Sequence, residues 1–102
     1  MARDLLKSDG YQVIRTAGSH SPVDLVAWRS HDSLLFIQAR RTRSPVNRSS
    51  VAKTYQDDLA ALRKIPRPHN AMIQFWIWNN RQGWRFFAVM PGGIRGMVSY
   101  EN

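Results

Sequence analysis

The chain has 102 residues, 43% of them hydrophobic, which is enough for one domain with a modest core. It contains no cysteine, which excludes disulfides and thiolate metal sites, and no apolar run of the roughly 20 residues that a membrane helix needs. Fifteen Lys and Arg against seven Asp and Glu give a formal net charge of +8. This excess indicates a polyanionic partner, of which nucleic acid is the first candidate. The alternative is a soluble basic protein without such a partner.

The first elements of the chain are predicted to be a short helix and a short strand. Residues 3–9 have the pattern of the end of an amphipathic helix, and Gly10 is a plausible stop for it. Residues 11–15 predict a strand, and residues 16–21, rich in small side chains, predict a loop.

Two apolar runs, residues 22–28 and 34–40, predict a hairpin of neighbouring strands. Because side chains alternate across a strand, Gln38 and Arg40 share one face at the end of the second run. A polar and a charged side chain at the end of a buried run need partners, and Asp24 at the start of the adjacent strand is the nearest candidate. We therefore expect these three side chains to meet at one end of the sheet.

The second half of the chain predicts a basic linker at residues 41–48 and then a helix that ends before Pro66. Ser49 or Ser50 is the predicted N-cap. Apolar residues recur along the helix at spacings of four, four and three and form one stripe. The charged residues of the helix, Asp57 and Asp58 among them, are predicted to face mostly away from that stripe. The stripe consists of Val51, Tyr55, Leu59 and Leu62.

Residues 71–78 and 84–90 predict two strong strands joined by a polar turn. They contain Trp76, Trp78 and Trp84, which can stack on bases or pack against a helix or a second subunit. The tail after residues 91–93 is predicted to pack loosely.

The first hairpin resembles the PD-(D/E)XK nuclease superfamily, most closely the archaeal Holliday junction resolvases. In that family an Asp starts one strand and an acid-x-Lys triplet ends the next. The segment Pro22-Val23-Asp24 matches the first feature, and Phe36-Ile37-Gln38-Ala39-Arg40 occupies the place of the second, with Gln for the acid and Arg for Lys. Two further segments, Gly10-Tyr11-Gln12-Val13-Ile14-Arg15 and Trp84-Arg85-Phe86-Phe87, also resemble the resolvases. The resemblance implies an α/β fold, with a restriction-endonuclease-like core of a central mixed sheet flanked by helices, as a single domain over residues 1–102.

The resemblance also implies the site. Its candidate catalytic residues are Asp24, Gln38 and Arg40, and its candidate ligands for Mg²⁺ or Mn²⁺ are the Asp24 carboxylate, the Gln38 amide oxygen and the Ala39 carbonyl. Arg cannot lose its proton, so Arg40 cannot be a general base. It can hold a phosphate, orient Asp24, or form an ion pair with Asp24 that replaces the metal. A further acid on the family's first helix would fall before Met1 here, and Asp4 is the nearest carboxylate.

Arginines that follow the motif strand are expected to border the site and contact phosphates. His20 and His31 are interpreted as solvated loop residues rather than metal ligands. The candidate nucleic-acid contacts are Ser19, Arg40, Arg41, Arg43 and Arg48.

Taken together, these patterns predict a DNA-binding, nuclease-like protein that resembles Holliday junction resolvases and has weakened or lost metal-dependent phosphodiesterase activity. We expect DNA, branched DNA included, as its partner, a homodimer as its assembly, and a cytoplasmic location away from membranes. Two alternatives stay open at this point: a non-catalytic protein-interaction subunit, and an active Mg²⁺-dependent endodeoxyribonuclease completed by an acid outside this chain.

Overall fold

The computed structural model describes residues 1–16, 21–30 and 33–101, and within these ranges it contains three helices and six strands. Their boundaries lie within two residues of the expected ones in most cases, and the differences are described below. In chain order they are α1 (Ala2–Ser8), β1 (Gln12–Arg15), β2 (Leu25–Trp28), β3 (Leu34–Arg41), α2 (Arg48–Thr54), α3 (Gln56–Arg63), β4 (Ala71–Asn79), β5 (Gly83–Met90) and β6 (Gly93–Met97).

The six strands form one sheet in the order β1-β2-β3-β4-β5-β6. Strands β3 and β4 are parallel, and every other neighbouring pair is antiparallel. Parallel strands need a crossover connection, and α2 and α3 supply it. The predicted α/β architecture with a central mixed sheet flanked by helices is therefore confirmed.

Both faces of the sheet are covered by helices. On one face Val51 of α2 and Leu59 of α3 pack against Ile73 and Phe75 of β4, and all four are buried. On the other face Leu6 of α1 packs into a cluster that contains Ala27, Ile37 and Trp76. Burial on both faces explains why the central strands are continuous apolar runs, and it leaves the ends of the strands as the place for polar side chains.

The predicted long helix is two shorter ones, α2 and α3, which meet at Tyr55. The backbone of Tyr55 leaves helical geometry, with φ −109° and ψ 29°, and its ring packs 5.2 Å from that of Phe75. The N-cap is Asn47 rather than Ser49 or Ser50. Its side chain accepts from the backbone N–H of Ser50, whose hydroxyl accepts from the N–H of Asn47, so Ser50 is the reciprocal partner in a capping box.

The tail differs from the loose packing that was predicted. Strand β6 pairs with β5, and Tyr100 is buried beside α1. The Tyr100 hydroxyl donates to the Asp9 carboxylate, while its carbonyl accepts from the buried Gln74 amide at 2.8 Å. Burial, followed by the hydrogen bond to Asp9, raises the pKa of Tyr100. The tail thus joins the sheet to α1.

Candidate functional site

The register of β2 and β3 places Asp24 beside the end of β3. Leu25 pairs with Ile37, and one residue further on the Asp24 N–H donates to the Ile37 carbonyl at 2.8 Å. Continuation of this antiparallel register sets Asp24 opposite Gln38, so the two side chains leave the sheet on the same face. The Asp24 Oδ2 accepts from the Ala39 N–H at 2.8 Å. This bond holds the carboxylate against the backbone of the motif strand.

Arg40 lies between two carboxylates and a carbonyl. Its Nη1 is 3.8 Å from Asp24 Oδ2 and donates to the Ala39 carbonyl at 3.2 Å. Its Nη2 donates to Asp58 Oδ1 at 3.4 Å. All three charged side chains are partly exposed, so each ion pair alone contributes less than about 1 kcal/mol. Together, the three contacts nevertheless hold the Arg40 guanidinium in one position between Asp24, Asp58 and the Ala39 carbonyl.

Gln38 is almost completely buried, and its amide is bonded to Asp58. Its Nε2 donates to Asp58 Oδ1 at 3.2 Å. Its Oε1 has no hydrogen-bond partner among the described residues. The contact with Asp58 determines the orientation of the Gln38 amide. If the amide were flipped, its oxygen would face the negatively charged Asp58 carboxylate. Asp24, Gln38 and Arg40 thus gather at one end of the sheet, where Asp58 links Gln38 to Arg40.

Asp58 is the residue that sequence reasoning missed. It was predicted to face away from the sheet, and it instead contacts both Gln38 and Arg40 from the first turn of α3. A signal for this position existed: Asp58 precedes Leu62 of the buried stripe by four residues, a spacing that places both on one helix face.

The donor set fits the guanidinium and does not fit a divalent ion. Asp24, Asp58 and the Ala39 carbonyl all contact Arg40, which keeps its proton and its charge. Within residues 1–16, 21–30 and 33–101, no group of three or more His, Cys, Asp or Glu side chains is placed to hold a metal. Asp4 does not add a third carboxylate to Asp24 and Asp58, since its side chain is 87% exposed and lies outside the lining of the pocket that is described in the next paragraph. A divalent ion that took Asp58 Oδ1 and the Ala39 carbonyl as ligands would have to displace Arg40, which donates to both.

A pocket of about 640 Å³ adjoins this cluster on the α1 face of the sheet, and we call it the end pocket. Its wall combines positive charge with aromatic surface. Sequence reasoning anticipated its two arginines on β3 but not those on α1 and β1, because strand pairing and the position of α1 bring them together. The end pocket includes Arg3, Arg15, Arg40, Arg41, Trp78 and Trp84.

The predicted nucleic-acid contacts lie in different places. Arg40 and Arg41 line the end pocket. Arg43 and Arg48 are exposed on the linker and at the start of α2, outside its lining. Ser19 lies outside the described residues, as do His20 and His31.

Two comparisons with known proteins bear on this arrangement. Residues 1–61 match the restriction endonuclease family Mrr_cat. Among solved structures, the chain is similar to Hjc of Archaeoglobus fulgidus, described as a Holliday junction resolvase from an archaeal hyperthermophile. The TM-score is 0.61 at 24% sequence identity, covering 94% of this chain and 84% of that one. This likeness confirms the restriction-endonuclease-like fold. No curated protein sequence matches the chain.

Proposed function

Because the chain belongs to the restriction endonuclease family and has a PD-(D/E)XK nuclease-like fold, we propose that it binds DNA at this site and that its metal-dependent phosphodiesterase activity is weakened or lost. The observation that carries the proposal is the position of Arg40, whose guanidinium contacts Asp24, Asp58 and the Ala39 carbonyl.

Binding of a phosphodiester is the chemistry that these residues support. Asp24 and Asp58 hold the Arg40 guanidinium in place and compensate its charge, so Arg40 offers a phosphate only its remaining N–H donors, and the uncompensated positive charge comes from neighbouring arginines. The end pocket brings Arg3, Arg15 and Arg41 to the same edge of the sheet. Cationic side chains gathered at one edge favour a polyanion over a neutral ligand.

Hydrolysis needs a group that activates water, and the candidates here are poorly suited to it. Arg40 cannot accept a proton. The Asp24 carboxylate accepts from the Ala39 N–H at 2.8 Å through Oδ2, the same oxygen that lies 3.8 Å from Arg40 Nη1, so this oxygen is already engaged by two donors of the chain. Gln38 carries no charge and its amide is turned toward Asp58. The site is therefore better suited to hold a strand than to cut it.

The partner in this proposal is DNA, with four-way junctions as the first substrate to test, because the similar Archaeoglobus protein is described as a Holliday junction resolvase. A homodimer would place one site on each of two strands. A cytoplasmic location belongs to the same proposal. Among the described residues, no helix is long and apolar enough to cross a bilayer.

The proposal is tested by titrating labelled four-way junction and duplex DNA with the protein at several salt concentrations. We expect affinity to fall steeply with salt, with each phosphate contact contributing roughly 0.9 to the slope of log K against log salt. Replacing Arg41→Gln should weaken binding and reduce the slope by roughly one unit.

The matched control is Arg67→Gln, which removes the same charge from an exposed position in the connection to β4, at the opposite end of that strand from Trp78. It should leave the slope nearly unchanged. Absence of binding even at low salt would refute the proposal and favour a protein-interaction subunit.

A further inference from the structure

The end pocket contains a row of three side chains that run across the sheet on its α1 face. Arg41 of β3 pairs in register with Trp78 of β4, and Trp78 pairs with Trp84 of β5. The next row inward on this face includes the buried Trp76. In the outer row Arg41 is exposed and the two Trp side chains are half-buried, and all three line the pocket.

The two indole rings of this row are held in fixed orientations. Trp78 and Trp84 meet edge to face with ring centroids 5.5 Å apart. Trp84 also contacts the rings of Trp76 and Phe86, and Trp78 Nε1 donates to Asn80 Oδ1 at 3.3 Å. Rings that are already ordered lose little conformational entropy when a ligand stacks on them.

Guanidinium groups surround this aromatic wall. Arg3, Arg15 and Arg41 are exposed, and none of them forms an ion pair with a carboxylate in the described ranges. The carboxylate in the pocket lining, that of Asp24, lies beside Arg40. The pocket therefore offers aromatic surface at its wall and, at its rim, positive charge without a carboxylate partner among the described residues.

We propose that the end pocket takes an unpaired nucleotide, whose base stacks on the indole of Trp78 with its edge toward Trp84, while the flanking phosphates pair with Arg3, Arg15 and Arg41; this inference rests on the proposed DNA binding. Both faces of a base are covered in a duplex, so only a nucleotide outside the stack can present a face to an indole ring. The volume of the pocket is that of a small-ligand site, which suits a single nucleotide. The substrate class is thus DNA that carries an unpaired base at a branch point, bulge or single-stranded segment.

Three DNAs with the same base-paired sequence test the inference: a perfect duplex, a duplex with one additional bulged thymine, and a duplex with one additional bulged abasic residue. The abasic bulge keeps the backbone and its flexibility and lacks only the base. We expect the thymine bulge to bind about 5- to 100-fold more tightly than the other two, the range for one base stacked on aromatic side chains. A 2-aminopurine in the bulge should lose fluorescence on binding, because stacking on indole quenches it.

Trp78→Leu, which keeps an apolar side chain and removes the indole ring, should abolish the preference for the thymine bulge while leaving duplex affinity within about twofold. Trp28→Leu, on β2 and outside the pocket lining, is the matched control and should retain the preference. Equal, salt-dependent affinity of the unmodified protein for all three DNAs would overturn the inference and leave the proposed function standing. No binding to any of them at low salt would overturn both.

Discussion

At the scale of single residues, the two replacements in the motif are mutually consistent. An acid at position 38 and Lys at position 40 are usual in the family that the motif resembles, whereas this chain has a neutral amide and a permanent cation. Gln38 donates to Asp58, and Arg40 contacts both Asp58 and Asp24. Each replacement therefore finds a partner in Asp58, and together they form a polar network in place of a carboxylate cluster.

Asp58 is expected to stabilise the fold as well as the site. In Asp58→Ala the buried Nε2 of Gln38 loses its acceptor, and an unsatisfied buried donor costs about 1–3 kcal/mol. Asp57→Ala removes the same charge from the same first turn of α3, but that side chain is exposed, so it serves as the matched control. Urea unfolding should show a loss of free energy of unfolding that is larger in the Asp58 variant by about 1–3 kcal/mol. Equal losses would show that Gln38 finds another partner.

The sequence predicted part of this network and not the rest. Strand alternation and hairpin pairing were sufficient to bring Asp24, Gln38 and Arg40 to one end of the sheet. Asp58 was missed because its direction depends on where α3 begins. No Pro or Gly marks the break at Tyr55, and the change of direction accompanies packing of its ring on Phe75, a contact between elements remote in sequence.

At the scale of elements, the C-terminal tail connects the sheet to the end of α1 through non-covalent contacts. Strand β6 extends the sheet, and Tyr100 then reaches Asp9 at the end of α1. The sequence did not predict this strand, because Gly93-Ile94-Arg95-Gly96-Met97 has two glycines and a single buried side chain. Its position depends on pairing with β5 and on the burial of Tyr100.

The link through Tyr100 predicts a sensitivity to alkaline pH. Its pKa is raised in the folded state, so the folded protein holds the phenol proton more tightly than the unfolded chain does. The stabilisation is thus complete below about pH 10, the unfolded pKa, and is lost as pH rises further. Tyr100→Phe should lose about 1 kcal/mol at neutral pH, because the hydrogen bond to Asp9 is gone, and should lose less additional stability above pH 10.

Thermal unfolding followed from pH 7 to pH 11 measures both effects. Tyr55→Phe is the control, since that hydroxyl is remote from Asp9, and this variant should follow the unmodified protein. An identical alkaline loss in the Tyr100 variant would show that another group is responsible.

At the scale of the whole molecule, fold and charge point to the same partner. The mixed sheet sets the ends of its central strands at one edge, and arginines from α1, β1 and β3 gather there. The central mixed sheet was predictable, apart from β6, because the resemblance supplied the order of elements and the apolar runs located the strands. The end pocket was not predictable, since it depends on how α1 lies across strands that are distant in sequence.

The most direct test of the central claim is a cleavage assay with a labelled four-way junction, carried out with the unmodified protein in Mg²⁺, in Mn²⁺ and in EDTA. We expect the junction to be bound in all three conditions and cleavage to be weak or absent, because Arg40 already contacts Asp24 Oδ2, Asp58 Oδ1 and the Ala39 carbonyl. Replacing Gln38→Glu and Arg40→Lys together should restore Mn²⁺ binding, measured by calorimetry, more readily than turnover. Robust metal-dependent cleavage by the unmodified protein, abolished by Asp24→Ala, would contradict the claim.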